Sequence, residues 1–290
     1  MQPPAHGAAR PPAPARLDDP RVVAFARLLG VVDRLRDPDG CPWDRKQTLR
    51  TMAPYLIEEA HEALEAIERD DDAHAAEEAG DVLMVVALIC RIAQEEGRFD
   101  LARAAQAVSD KLVRRHPHVF GDVNATSADE ALKSWEAVKQ GERAEKAQDA
   151  SALAGLPVSL PALQRAGRVW SKAVSAGFRW ESVAGAVAKL TEEQAELTAE
   201  LEASGLARDA KAAATPAQRE RVEHEIGDVL LAAAFLAGYL GLEPETVLRG
   251  ALRRFESRFR AVEENLPRPM REHALEEIVA SWNRAKALES

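Results

Sequence analysis

Apolar residues recur at steps of three and four through "YLIEEAHEALEAIE", where Leu56, Ala60, Ala63, Leu64 and Ile67 share one side of a helix. "DDDAH" (Asp70–His74) interrupts that pattern and offers a cap for the next segment. "AAEEAGDVLMVVALICRIAQEEG" predicts a second helix ending at Gly97, a residue suited to a left-handed C-terminal cap. A third helix is expected from near Asp100 to Arg115, where "HPH" stops it. No stretch alternates convincingly as a strand. The pattern predicts an all-α chain built from small antiparallel helical bundles.

The pattern is written twice. "GDVL" stands at Gly80–Leu83 and again at Gly227–Leu230, an offset of 147 (227 minus 80). "SWEAVK" (Ser134–Lys139) and "SWNRAK" (Ser281–Lys286) keep that offset, whereas "EEAHE" (Glu58–Glu62) and "EEQAE" (Glu192–Glu196) are 134 apart (192 minus 58). The difference is an insertion in the second copy around "SGLARDAKAAATPAQ", whose small and polar residues read as a loop. Three landmarks in one order indicate a duplicated domain. The expected organisation is a Pro/Ala-rich disordered tail over 1–20, a domain over 21–149, a linker over 150–161 and a second domain over 162–290.

Composition narrows the partners. Hydrophobic residues make up 46% and aromatics 5%, which favours helices over sheets. A net charge of −10 argues against a nucleic-acid polymer, which requires a basic face, but leaves room for a small anion escorted by metal ions. Cys41 and Cys90 form no CxxC pair, and a reducing, cytoplasmic location is expected. The N-terminus lacks the apolar core of a signal peptide, and the runs Val82–Cys90 and Val229–Leu242 are too short to span a bilayer. No membrane partner is expected.

The candidate chemistry lies in the carboxylates. Glu59 and Glu62 project from one helix face, and Glu78 and Asp81 do the same on the next. If those helices pack antiparallel, the four converge; the second copy supplies Glu193, Glu196, Glu225 and Asp228. Asp81 is followed by Val82, Leu83, Val85 and Val86, so it stands at the edge of a buried stretch, where an unpaired charge is costly. Like charges so close repel and raise one another's pKa, and a hard divalent cation relieves them. Oxygen-only ligation points to Mg²⁺ or Mn²⁺.

EExxE followed by ExxD, with "GCPWDRKQT" (Gly40–Thr48), "EEGRFD" (Glu95–Asp100), "SDKLVRRHPHVFGD" (Ser109–Asp122) and "FESRFR" (Phe255–Arg260), resembles the MazG family of nucleoside triphosphate pyrophosphohydrolases. The resemblance covers both halves. It implies an all-α fold whose acidic helices hold Mg²⁺, hydrolysis of nucleoside triphosphates to monophosphate and pyrophosphate, and a homodimer. No GxxxxGK[ST] is present to cradle phosphates, which fits a metal bridging acidic protein and acidic substrate. Glu192 and Glu58 are candidates for orienting or deprotonating water, or for holding a second metal. The family's nucleotide-contacting positions correspond to Lys189, Arg254, Arg258, Trp282 and Lys286, with Lys111, Arg114, Trp135 and Lys139 as looser counterparts in the first copy. Leu252 stands where the family usually has Asn in the second half; the first copy offers Asp110 in the corresponding region. In two-repeat relatives the second half usually carries the activity.

Other features read as structural. His116 and His118 suit a helix stop, Cys41 a packed turn, and Glu58-x-x-His61 is half of a di-iron signature that the second copy lacks, having Ala195 at that position. The competing function is a non-catalytic helical module that binds nucleotides or a protein partner and keeps the acidic frame as a structural metal site.

Overall fold

The computed structural model describes residues 13–145, 151–208 and 214–288, and every regular element among them is helical. The expected disordered tail lies outside the described residues as far as residue 12; residues 13–19 lead into the first helix without regular structure. The chain divides into two compact units, Met1–Gln148 and Asp149–Ser290.

The first unit opens with α1 (Pro20–Arg36), where Asp19 accepts the Arg21 backbone N–H at 2.9 Å and Pro20 occupies a position that needs no donor. One short turn, α2 (Pro42–Arg45), sits inside "GCPWD". α3 (Leu49–Glu68) starts with a capping box between Thr48 and Thr51. α4 (Asp72–Glu95) begins three residues ahead of the expected start, because Asp71 takes the cap and accepts the His74 N–H at 3.1 Å. It ends before Gly97, at φ +66°. α5 (Leu101–Arg115) is capped by Asp100. α6 (Pro117–Phe120) and α7 (Ala128–Glu145) complete the unit.

The second unit repeats the order with α8 (Ala162–Ser175), α9 (Val183–Ser204), α10 (Pro216–Tyr239), α11 (Pro244–Asn265), a 3-10 turn at Met270–Glu272, and α12 (Leu275–Leu288). The insertion read as a loop is shorter at its far end. Thr215 and Gln218 form a capping box, so Pro216, Ala217 and Gln218 belong to α10; residues 209–213 lie outside the described residues. No single described helix is long and apolar enough to cross a membrane.

α3 packs along α4 as an antiparallel hairpin joined by three residues, and α9 packs along α10 across the longer connection 205–215. The core of the first unit is Val32, Met52, Val85, Ala87, Leu88 and Ile92. The inward face of α3 differs from the expected one. Met52 and Ala66 are buried, while Ala60 is exposed and Ile67 is 63% exposed. The inward stripe runs Met52, Leu56, Glu59, Ala63, Ala66, so a carboxylate occupies a position that counting apolar residues alone skips.

One charge pair, a buried arginine with an exposed glutamate, ties this unit together. The Arg36 side chain is only 6% exposed and reaches Glu95 Oε2 at 2.6 Å. It also donates to the backbone carbonyl of Asp44, which fixes the loop around α2. Arg36 holds the Glu95 carboxyl below its usual 4.5, and a depressed folded-state pKa means stability present above that value and lost as pH falls through the folded one. Arg36→Met is therefore expected to destabilise the first unit by about 1–2 kcal/mol at pH 7, with the deficit shrinking below pH ~4. Urea melts of both proteins at pH 7 and pH 3.5 check this; equal midpoints at pH 7 would refute it.

Candidate active site

In the first unit, Glu59 on α3 faces Glu78 and Asp81 on α4. One oxygen from each lies within 4.8 Å of the other two. The heptad-like run Glu78, Asp81, Val85, Leu88, Ile92 explains the placement: the two carboxylates extend the core-facing stripe of α4 past its last apolar residue. Glu78 is 7% exposed. Its Oε1 lies 2.8 Å from His74 Nε2, and its Oε2 is buried with no hydrogen-bond partner. A buried carboxylate oxygen left unsatisfied is costly, and a cation is the natural way to satisfy it. Desolvation pushes the Glu59 carboxyl above its usual 4.5, and the charges of Asp81, Glu62, Glu78 and Glu58 push the same way. Glu62, at the exposed rim and outside the triad, is raised by partial desolvation and then by Glu78 and Glu58. Glu58 is exposed.

In the second unit Glu193 and Glu196 on α9 and Glu225 on α10 form a triad, again within 4.8 Å, in which Glu196, the counterpart of Glu62, takes the third place rather than Asp228. Glu193 is 7% exposed. Lys189 Nζ lies 2.7 Å from Glu193 Oε1 and 2.8 Å from Glu192 Oε1, and these carboxylates hold the ammonium above its usual value, so it stays charged. Desolvation and the neighbouring Glu193, Glu225 and Glu192 raise the Glu196 carboxyl. Asp228, one turn beyond Glu225, stands outside the triad with its Oδ2 3.4 Å from His224 Nδ1. At the offset of 134, Lys189 corresponds to Tyr55 in the first copy (189 minus 134), so the two acidic sites differ in the residue one turn before the triad.

The remaining candidates lie on the other helices. Arg254 is exposed and Arg258 half-buried on α11, one turn apart. Trp282 on α12 is half-buried with its ring 5.1 Å from Phe255, and Lys286 follows one turn later, exposed. Leu252 is 49% exposed on α11. In the first unit Lys111 and Arg114 are exposed on α5. Trp135 already has two cations over its ring, Lys139 at 4.4 Å and Arg115 at 5.3 Å, and Arg115 and Arg114 both pair with Glu142. That ring is a packing element of α7. Asp110 accepts from Gln106 at 2.8 Å. His116 Nδ1 lies 2.7 Å from the Leu112 carbonyl oxygen where α5 ends, and Cys41 caps α2 half-buried.

Two partners of the acidic groups, His74 and His224, are absent from the sequence-based candidates. Each sits four residues before a site carboxylate, Glu78 and Asp228, and that spacing is the signal the sequence carries for them.

The sequence profile of the MazG nucleotide pyrophosphohydrolase domain matches residues 47–120. A nucleoside triphosphate pyrophosphohydrolase of Escherichia coli (strain K12) is 45% identical over 238 residues, 82% of this chain and 86% of that protein. The nucleoside triphosphate pyrophosphohydrolase/pyrophosphatase MazG of Thermotoga maritima is 36% identical over 267 residues, 91% of this chain and 96% of that protein. A crystal structure of a mazG-related protein from Thermotoga maritima, 34% identical, covers 40% of this chain and 98% of its own at a TM-score of 0.36.

Proposed function

The chain belongs to the MazG family of nucleotide pyrophosphohydrolases, and from that membership we propose that it hydrolyses nucleoside triphosphates to monophosphate and pyrophosphate with the help of Mg²⁺, Mn²⁺ being the substitute. The observation that carries the reading is the pair of carboxylate triads, each built across two antiparallel helices and each anchored by a buried glutamate. The orphaned Oε2 of Glu78 and the all-oxygen donor set fit a hard divalent cation. Glu193, Glu196, Glu225 and Asp228 would hold it in the second repeat, and Glu59, Glu62, Glu78 and Asp81 in the first.

A bound cation supplies Lewis acidity toward a phosphoryl oxygen and lowers the pKa of water. The chain's own groups do the rest. Glu192 and Glu58, exposed beside the triads, orient water or take its proton. Lys189, kept charged by Glu192 and Glu193, is placed to transfer its pairing to a phosphate as negative charge develops there. Arg254, Arg258 and Lys286 hold the phosphates, and Trp282 the base. The two functional domains are read as 21–149 and 162–290. The exposed apolar side chains of α3 and α4, Ile57, Ile67 and Leu83, support pairing with a second copy. The experiment is the identity of the first product and its dependence on divalent cation: pyrophosphate is expected, and none in excess chelator.

A further inference from the structure

The loop "GCPWDRKQT" is built with more precision than a connection needs. A Cβ on Gly40 would collide with the Leu35 carbonyl oxygen, so only glycine lets the chain fold back there. The Cys41 N–H donates to that same oxygen at 2.8 Å. Arg36 donates to the Asp44 carbonyl, Gln47 Nε2 donates to the Trp43 carbonyl at 3.2 Å, and Thr51 Oγ1 donates to Gln47 Oε1 at 2.8 Å. The backbone of Trp43 is thus held from both sides, yet its ring is 51% exposed. That ring meets Tyr55 edge-on, centroids 5.9 Å apart at 74°. Tyr55 is one turn before Glu59 on α3, about 6 Å of helix rise. A rigid, open aromatic is therefore linked through Tyr55 to a carboxylate triad whose buried Glu78 Oε2 lacks a partner.

We infer that Trp43, backed by Tyr55, is the base-stacking platform of the first repeat, and that it takes a purine nucleoside triphosphate. The inference rests on the proposed binding of metal and triphosphate at Glu59, Glu78 and Asp81. Two steps, 5.9 Å from Trp43 to Tyr55 and one helix turn from Tyr55 to Glu59, together are about the span of a nucleotide from base to phosphates, so a base on Trp43 brings the phosphates to the carboxylates. Purines offer the larger π-face to an exposed indole. The second repeat puts Lys189 where the first has Tyr55. At this one position the second repeat supplies a phosphate-pairing cation and the first an aromatic that backs the base platform.

The test uses the full chain carrying Glu193→Gln and Asp228→Asn, so that the second repeat is silenced. With Mg²⁺ present, the affinity of the α,β-methylene analogue of ATP is compared with that of tripolyphosphate, which has no base. Trp43→Leu should weaken the ATP analogue about tenfold or more and leave tripolyphosphate unchanged, while Trp43→Phe should fall between. The ATP analogue, and not tripolyphosphate, should quench tryptophan fluorescence, and that quenching should disappear in Trp43→Leu. Equal weakening of both probes would make Trp43 a structural residue, and no weakening would remove it from the site; either result overturns the platform alone. Failure of both probes to bind with Trp43 intact overturns the metal–triphosphate reading of the first repeat and the platform with it.

Discussion

Glu193→Gln and Asp228→Asn should each lower the rate of pyrophosphate release about a hundredfold or more, while Asp81→Asn should keep at least about half. The asymmetry follows from what surrounds each triad. In the second repeat, Lys189 is already in contact with Glu193 and Glu192, so an ammonium that can pair with phosphate stands at the carboxylate triad. The first repeat has Tyr55 in that place. Charge in phosphoryl transfer is spread over phosphate oxygens, so a fixed ammonium there stabilises the transition state more than an aromatic ring can. A lost metal ligand removes several kcal/mol of that stabilisation, and each 1.36 kcal/mol is a factor of ten in rate. Leu252 costs the second repeat at most one neutral hydrogen bond, about 0.5–1.5 kcal/mol. Initial rates for the three variants at saturating Mg²⁺ decide the matter. A dead Asp81→Asn beside a normal Asp228→Asn would assign turnover to the first repeat.

Mg²⁺ should raise the melting temperature, and Glu78→Gln should abolish the part of that shift belonging to the first unit while making the protein more stable than wild type in EDTA. Without a cation, Glu59 and Glu62 are strained by desolvation and by the charge of Glu78. Their folded-state pKa values are raised, so their favourable contribution is present below about 4.5 and lost as pH rises through the folded values. In EDTA, wild type should therefore gain stability as pH drops from 7 toward 4.5, and Glu78→Gln should gain less because one of the repelling charges is gone. The amide that this substitution introduces can still hydrogen-bond His74, which limits the loss of native contacts. At free Mg²⁺ a hundredfold above its Kd, mass action contributes about 2.7 kcal/mol per site, or roughly 5–10 °C for a unit of this size. Calorimetric melts of both proteins in Mg²⁺ and in EDTA check this. Superimposable curves under all four conditions would remove the first triad as a metal site.

The helices and the acidic frame are legible in the sequence because both depend on local periodicity. Glu59 and Glu62, or Glu78 and Asp81, share a face whatever the helix packs against, and Gly97 marks a helix end on its own. The inward face of α3 departs from the expected one because half-buried Glu59 lies on the inward stripe, and an apolar count rotates that stripe toward Ile67. α1 shows no clear period, since "VVAFARLLGVV" is apolar on every side although only Val32 is buried. The contact of Trp43 with Tyr55 joins residues twelve apart (55 minus 43) through a loop whose path is set by Gly40 and Arg36, and no spacing rule reports it. Likewise, Asp228 shares the helix face of Glu225 by spacing yet lies beside His224 and outside the triad, which the spacing does not report.

Hydrolysis of nucleoside triphosphates labelled at the α-phosphate, by the full chain with Mg²⁺, with Mn²⁺ and in excess EDTA, asks most directly whether the carboxylate triads serve a metal-dependent pyrophosphohydrolase. The label should appear in the nucleoside monophosphate, with an equal amount of pyrophosphate, in Mg²⁺ or Mn²⁺ and not in EDTA. Full activity in EDTA, or orthophosphate as the first product with the label in the diphosphate, would contradict it.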